Sequence, residues 1–519
     1  MSSSPCGDSD DPQAEVFLFL ADPRTHGLDE TVGRIDTAGA VVFLAGPGVY
    51  KVKRAVRFPF MDLSTLEKRH RACEAEIAVN REIAPGIYLD ALPIVRKGKT
   101  LAIGGAGEAI EWVTHMRRFD ENATLDRIAD RDGVPGAIID KLALAIRRSH
   151  AQAPLRDAAA AAHSIETYIE QNDAAFAERP DLFPASKARR LTQDSRLVFA
   201  IARPVMLARG AAGFTRRCHG DLHLRNIVLI GGEPTLFDAV EFSDEVASGD
   251  VLYDLAFLLM DLEERGLRGA ANRILNRYLA PEPPEALGGL AALPLFLSLR
   301  AAIRAKVEAA GADRLDGEPR DKALALARRY FDSAAGFLRY VPPRLVAVGG
   351  LSGAGKSALA AALAPRLGRA PGALWLRSDV ERKAMFGVDE TTHLPDSAYE
   401  PEVTRDVYRV IHDKARRALR AGQAVVLDAT FSTVRERGAA SAVAADVGVA
   451  FDGLFLEAPL ETRLQRVAAR EADASDADAA IACGQRAEPL GEKGWTALDA
   501  AGARRETIAL ALGRLRCAP

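Results

Sequence analysis

The spacing of hydrophobic and polar positions changes rhythm several times along the chain. Val41 to Ala45 and Val49 to Val52 are short apolar runs separated by Gly46-Pro47-Gly48, a pattern that predicts a hairpin. From Ser64 to about Ala84 the spacing lengthens to that of a helix, with Leu66, Cys73, Ile77 and Ala84 able to share one face. Ser64-Thr65-Leu66-Glu67 has the form of a capping box at its start. Strand-like runs return at Ile87 to Val95, Leu101 to Ile103 and Ala109 to Thr114. From Leu125 to about Tyr340 the pattern is mostly helical. One β-like island interrupts it, Asn226 to Ile230 and Thr235 to Phe237 around Gly231-Gly232, as does a loop at Pro281-Glu282-Pro283-Pro284. Val341-Pro342-Pro343 then stops the last helix and marks the domain boundary. Beyond it the apolar runs Leu345 to Val348, Leu374 to Leu376, Ala424 to Leu427 and Gly453 to Leu456 alternate with long helical segments. That alternation predicts a parallel sheet covered on both faces. There is no internal repeat, and the two halves differ in pattern.

At 519 residues the chain exceeds one hydrophobic core, and two to four domains are expected. Its 48% hydrophobic and 27% charged residues are ordinary for a globular enzyme. The formal charge, 68 − 71 = −3, gives no electrostatic case for nucleic acid or an anionic membrane as main partner. The local basic run Arg416, Arg417 and Arg420 reads as a solvated helix face. Cysteines at 6, 73, 218, 483 and 517 form no CxxC pair, so reduced thiols and a cytoplasmic location are expected. Met1 to Gln13 lacks a basic and then apolar signal and reads as a short disordered tail. No uninterrupted apolar stretch of about 18 residues is present, so no membrane span is expected.

The sharpest chemical signal is Gly350-Leu351-Ser352-Gly353-Ala354-Gly355-Lys356-Ser357, which meets GxxxxGK[ST] at every defined position. A strand, Leu345 to Val348, precedes it and a helix, Ala358 to Leu367, follows, as the chemistry requires. Glycines let consecutive N–H groups curl toward phosphate oxygens, and the helix N-terminus adds its dipole. Gly350, Ser352, Gly353, Ala354, Gly355, Lys356, Ser357 and Ala358 are the expected ATP contacts. Lys356 would reach the β- and γ-phosphates and Ser357 would ligate Mg²⁺. Asp379, in Leu376-Arg377-Ser378-Asp379, follows the next strand and could accept the proton of an attacking hydroxyl, or merely cap the following helix. Arg377 and Arg382 could clamp an anionic group. Asp428 ends Val425-Val426-Leu427-Asp428, a Walker-B-like run, and would hold Mg²⁺ or touch the acceptor. Arg463, Arg466 and Arg470 recur at helical spacing and suit a lid over the triphosphate, or an exposed basic face. Arg344 to about Glu488, through GGLSGAGKS, LRSDVERK and VVLDAT, resembles the zeta-toxin-like and gluconate-kinase-like P-loop kinases (the AAA_33 type). The resemblance implies a kinase of hydroxyl groups without naming an acceptor.

A second phosphate chemistry lies upstream. His219-Gly220-Asp221-Leu222-His223-Leu224-Arg225-Asn226 has the spacing HxDxxxxN, followed by Asp238, as in a protein-kinase catalytic loop. Asp221 would take the acceptor proton, and Asn226 and Asp238 would hold Mg²⁺. His219 reads as a buried ring bracing the loop; a His219–His223 metal pair is the lesser alternative. Lys51 and Lys53, on one face of a strand, are both candidates for the α/β-phosphates. Glu76, with Glu74 as the alternative, is the expected ion-pair partner. The backbone of Ile110 to Thr114 is the candidate adenine-binding hinge. About residues 30 to 335, through VYKVK, CEAEI, HGDLHLRN and FDAVEF, resemble the aminoglycoside-phosphotransferase-like family. In that family an Asp at the place of Asp254 is structural. No GxGxxG covering loop is present; Asp36 to Ala40 is nearest to one.

Together the resemblances imply a lead-in over 1–28, a two-lobed protein-kinase-like domain over 29–338 (α+β), and a doubly wound α/β P-loop domain over 339–519. They imply an enzyme with two ATP and Mg²⁺ sites acting on small-molecule hydroxyls. Two alternatives stay open: a single active P-loop kinase governed by a non-catalytic first domain, and a polynucleotide 5′-hydroxyl kinase, which the near-neutral charge disfavours.

Overall fold

The computed structural model describes residues 12–58, 61–469, 474–491 and 493–515. The chain divides into two compact units, one of residues 1–157 with 214–254, the other of 158–213 with 255–519.

The first unit is built on a six-stranded antiparallel sheet. Its strands run in the order Gly33–Asp36, Ala40–Ala45, Gly48–Lys53, Glu108–Arg117, Tyr88–Lys97 and Thr100–Ile103. Alternation sends Val41, Phe43, Val52, Ile94 and Val113 into one core, which the helix Ala14–Ala21 closes with Val16, Phe17 and Leu20. Of the expected disordered tail, Met1 to Gln13, only residues 12 and 13 are described. Gln13 itself is buried, its amide donating to the Lys53 carbonyl (2.9 Å) and to Glu111 Oε2 (2.6 Å). The helix Leu66–Ile83 packs against the central strands. Its N-cap is Thr65, whose hydroxyl accepts from the Lys68 amide at 3.3 Å, one residue later than the Ser64 capping box. Helices Leu125–Asp132 and Gly136–Gln152 and the hairpin Ile227–Ile230/Glu233–Leu236 follow.

In the second unit, helices Ala158–Glu178, Ala185–Ala211, Arg268–Leu279, Leu293–Ala312 and Gly317–Phe337 accompany a five-stranded, all-parallel sheet. The strand order is Leu374–Arg377, Val425–Asp428, Arg344–Gly350, Ala450–Glu457 and Trp495–Asp499. Four of these strands match the expected runs. The fifth was not anticipated: Trp495-Thr496-Ala497-Leu498-Asp499 is too short and mixed in polarity to stand out. The sheet's core includes Val346, Val348, Leu359, Leu363, Val426, Leu454 and Leu456. Among the described residues no single helix is long and apolar enough to cross a membrane.

Candidate active sites

In the first unit the two lysines of Gly48–Lys53 meet one carboxylate. Lys51 Nζ lies 2.6 Å from Glu76 Oε1 and 2.8 Å from Asp238 Oδ1. Lys53 Nζ lies 2.9 Å from Glu76 Oε2 and pairs with Glu241. Glu76 is fully buried and also accepts from Thr114 Oγ1 at 2.7 Å, whereas Glu74 is exposed and paired with His70. Burial opposes charge on both lysines, but the carboxylates outweigh it and raise their pKa values; burial likewise opposes the Glu76 carboxylate, which Lys51 and Lys53 hold low.

Asp238 sits at φ 60°, a left-handed conformation, with its amide donating to the Tyr88 hydroxyl at 3.0 Å. Asn80 clamps the next residue, accepting from the Ala239 amide (2.7 Å) and donating to its carbonyl (3.2 Å). The helix that carries Glu76 thus also fixes the segment that carries Asp238. Tyr88, Asn80 and Glu241 were not singled out, and Thr114 was expected as hinge backbone instead of as a side-chain donor to Glu76, because nothing in their local pattern points across the fold.

Asp221 and Asn226 are adjacent: Asn226 Nδ2 donates to Asp221 Oδ2 at 3.0 Å. The His219 ring is buried, contacts the Phe237 carbonyl through Nε2 at 2.9 Å, and is held toward its neutral form by that burial. It ties the Asp221 loop to the segment leading into Asp238. Asp254 braces the same loop, accepting from the Gly220 amide at 2.7 Å and meeting His150 Nε2 at 3.0 Å. His223 Nε2 lies 3.4 Å from Asp221 Oδ2. The hinge candidate, residues 110–114, lies inside the strand Glu108–Arg117. Residues 111–114 pair with strands on the side of Tyr88–Lys97 and, at Val113 and Thr114, also on the side of Gly48–Lys53. Val113 and Thr114 are thus paired on both sides, whereas the Trp112 amide donates to Glu111 Oε1 at 3.0 Å instead of to a neighbouring strand.

In the second unit Gly350, Gly353 and Gly355 have φ of 140°, 81° and 97°, and Lys356 begins the helix Lys356–Leu363. A side chain at Gly353 would collide with the Arg463 carbonyl, and a Cβ at Gly350 would lie 2.8 Å from the Leu456 carbonyl. At Gly350 and Gly353 there is therefore room for bare backbone alone, and the loop runs into a helix N-terminus. The Ser352 amide donates to Gln485 Oε1 at 2.7 Å.

Asp428 ends its strand buried, accepting from Trp375 Nε1 at 3.2 Å, with Arg377 Nε at 3.7 Å. Burial raises its pKa against the opposing charges of Arg377 and Lys356. Arg377 stacks on Trp375 at 5.0 Å and reaches Ser357 Oγ at 3.5 Å. A cavity of about 200 Å³ brings together Lys356, Arg377, Asp379, Arg382, Asp428 and Gln485. The N-cap position of the helix Ser378–Met385 belongs to Arg377, so Asp379 lies inside the first turn. Arg382 is buried, donates to the Ala398 carbonyl at 2.5 Å and Thr404 Oγ1 at 3.3 Å, and lies over Tyr399.

The lid expectation is corrected for two arginines. Arg463 is buried and donates to the Ser352 carbonyl (3.3 Å) and the Ala482 carbonyl (3.1 Å), bracing the phosphate loop through its own backbone. Arg466 donates to the carbonyls of Ala354 (3.4 Å) and Gly502 (3.0 Å). Neither lines the cavity holding Lys356 and Asp428. Arg466 instead borders a second cavity of about 220 Å³ with Ala354, Gly355, Ala358, Leu359 and Arg504. Arg470 lies outside the described residues.

Residues 63–292 match the model of the phosphotransferase enzyme family, and residues 345–488 match that of an AAA domain family. An uncharacterized protein of Mycobacterium tuberculosis (strain ATCC 25618 / H37Rv) is 30% identical over 481 residues, 91% of this chain and 93% of its own. An uncharacterized protein of Mycobacterium bovis matches to the same extent. Among solved structures, a choline/ethanolamine kinase family protein from Mesorhizobium loti is 16% identical, with TM-score 0.37, covering 62% of this chain and 99% of its own. A gluconokinase from Sinorhizobium meliloti is 22% identical, with TM-score 0.25, covering 34% of this chain and 94% of its own.

Proposed function

The chain belongs to the same family as these mycobacterial proteins, with a phosphotransferase domain ahead of a P-loop kinase domain, and from that premise we propose that it transfers the γ-phosphoryl group of ATP to small-molecule hydroxyls at two separate sites. On this reading the catalytic domains span about 29–338 and 339–519. The observation that carries the proposal is the glycine-bearing loop at 350–357 beside the buried Asp428 and the cavity containing Asp379.

At the second site the loop amides would cradle the β- and γ-phosphates, with Lys356 supplying a positive charge. Asp428, a buried carboxylate, and the Ser357 hydroxyl form an oxygen donor set that suits Mg²⁺, which when bound neutralises charge developing on the phosphates. Asp379 would accept the proton of the acceptor hydroxyl as its oxygen attacks phosphorus, and Arg377 and Arg382 would orient anionic groups. The cavity beside Gly355, lined largely by apolar groups, suits the nucleoside.

At the first site Asp221 would take the acceptor proton. Asn226 and Asp238 present the oxygen donors for Mg²⁺, and Lys51 would contact the α- and β-phosphates. Lys51 is favoured over Lys53 because it bridges both Glu76 and Asp238. A second reading, in which this domain binds ligand without transfer, is favoured by the turn between Asp36 and Ala40. Its Gly39 carbonyl accepts from the Arg54 amide at 2.9 Å and its Thr37 carbonyl from the Arg54 side chain at 3.1 Å, which leaves a pinned hairpin rather than a glycine-rich cover.

The deciding experiment incubates the full chain with γ-labelled ATP, Mg²⁺ and a library of small hydroxyl compounds. Two product sets are expected, one lost in Asp221→Ala and the other in Lys356→Ala. Labelled products that survive Lys356→Ala unchanged, with none attributable to Asp221, would overturn the tandem reading; loss of only the Lys356-dependent set favours the binding-module reading.

A further inference from the structure

An edge strand that carries catalytic groups has one side without a strand partner, and in this protein side chains from far upstream supply the missing partner. Leu374–Arg377 pairs with Val425–Asp428 on one side only. On the other side, Asn276 Oδ1 accepts from the Trp375 amide at 2.6 Å and Asn276 Nδ2 donates to the Ala373 carbonyl at 3.2 Å. One amide group bonding the carbonyl before Leu374 and the N–H after it reproduces the two bonds of a residue in a neighbouring parallel strand. Asn272 Nδ2 adds a bond to the Ala373 carbonyl at 2.9 Å and lies where any side chain at Gly372 would intrude (2.8 Å). Both asparagines are buried, and Asn276 Nδ2 also donates to the Asn272 carbonyl at 2.9 Å.

The same helix region reaches the acceptor side of the site. The Ala280 carbonyl accepts from Lys414 Nζ at 3.0 Å, and Lys414 pairs with Glu381 at 2.6 Å, two residues beyond Asp379. Arg277 pairs with Glu390, and Glu285 with Arg417 at 3.0 Å. All these upstream residues fall within 63–292, the stretch matched by the phosphotransferase family model rather than by the AAA domain.

We infer that Asn276, supported by Asn272, is a positioning residue of the P-loop site, acting through Trp375 on Asp428 and through Arg377 on Ser357. Its amide fixes the backbone of Trp375. The Trp375 indole N–H holds Asp428 Oδ2, and the Trp375 ring face carries Arg377, whose guanidinium meets Ser357. Ser357 and Asp428 are the two groups assigned above to Mg²⁺, so the phosphotransferase sequence sets the metal geometry of the P-loop site. The inference rests on the P-loop reading of the proposed function.

The test uses the full chain and measures binding of a fluorescent ATP analogue while Mg²⁺ is titrated. The signal lost in Lys356→Ala is taken as that of the P-loop site. Asn276→Leu removes both bonds to the strand while keeping the same branched heavy-atom skeleton, and Trp375→Phe keeps the strand but removes the indole donor. Both are expected to raise the Mg²⁺ concentration for half-saturation about fivefold, the scale of one lost hydrogen bond, while nucleotide affinity without Mg²⁺ stays as in wild type. Asn276→Gln is expected to recover part of the loss. A lowered melting temperature with an unchanged Mg²⁺ midpoint in both variants would overturn the inference and leave the asparagines purely structural. If Asn276→Leu does not fold, Trp375→Phe decides alone: an unshifted midpoint overturns the inference. Binding indifferent to Lys356→Ala would instead overturn the underlying P-loop reading.

Discussion

At the scale of single residues, the first site turns on how three charges share one buried point. Glu76 has no exposure and holds two amines, one of which also reaches Asp238. Glu76→Gln leaves the buried Lys53 and the half-buried Lys51 with a weaker partner and is expected to cost about 3 kcal/mol of stability, read by calorimetric unfolding with and without ATP. Lys51→Met is expected to lower first-site turnover about 100-fold, and Lys53→Met by a much smaller factor; steady-state rates in a Lys356→Ala background check the order. Sequence reasoning named Asp221, Asn226 and Asp238 from the spacing of one loop, left Lys51 and Lys53 both open, and weighed Glu76 against Glu74; the structure brings both lysines to Glu76 and leaves Glu74 at His70. Asn80, Tyr88 and Glu241 were out of reach. They act through contacts 150 or more residues apart along the chain, and a side chain's local pattern carries no record of such a partner.

Among the elements, the phosphate loop and its sheet were legible and their supports were not. The glycines at 350, 353 and 355 announce a backbone that must curl, but not that Arg463 fills the space behind it. Arg463, Arg466 and Arg470 follow one another at helical intervals, and charge periodicity cannot distinguish a face turned to substrate from one turned to the loop's own carbonyls. Gly353→Ala would place a side chain against the Arg463 backbone at φ 81°. It is expected to cost at least about 2 kcal/mol and to abolish nucleotide binding at this site, measured by thermal shift with Mg²⁺·ATP. The strand Trp495–Asp499 escaped because its polarity alternates over too few residues. It is nonetheless built in, since the Trp495 ring lies where Gly453 would carry a side chain. Gly453→Ala is therefore expected to destabilise the sheet, with a lower urea midpoint.

For the whole molecule, the proline pair at 342–343 marks where sequence pattern changes, yet a compact unit runs through that point and takes in residues 255–338. Sequence reading places a boundary where composition shifts; packing places one where buried groups stop bonding across it. Asn272, Asn276 and Ala280 bond across the proline pair to Ala373, Trp375 and Lys414. A fragment beginning at residue 339 is expected to expose the outer edge of Leu374–Arg377 and to aggregate, whereas one beginning at residue 255 retains that cover; light scattering of the two fragments checks this.

The Ser352 amide has a single hydrogen to give, and the Gln485 side-chain oxygen already holds it. A phosphate oxygen that needs that hydrogen competes with the Gln485 side chain, whose amide oxygen occupies the same donor. Trimming Gln485 to alanine removes the competitor. ATP is then expected to bind a few-fold tighter and arrive faster, read by nucleotide titration of the Gln485→Ala chain against wild type.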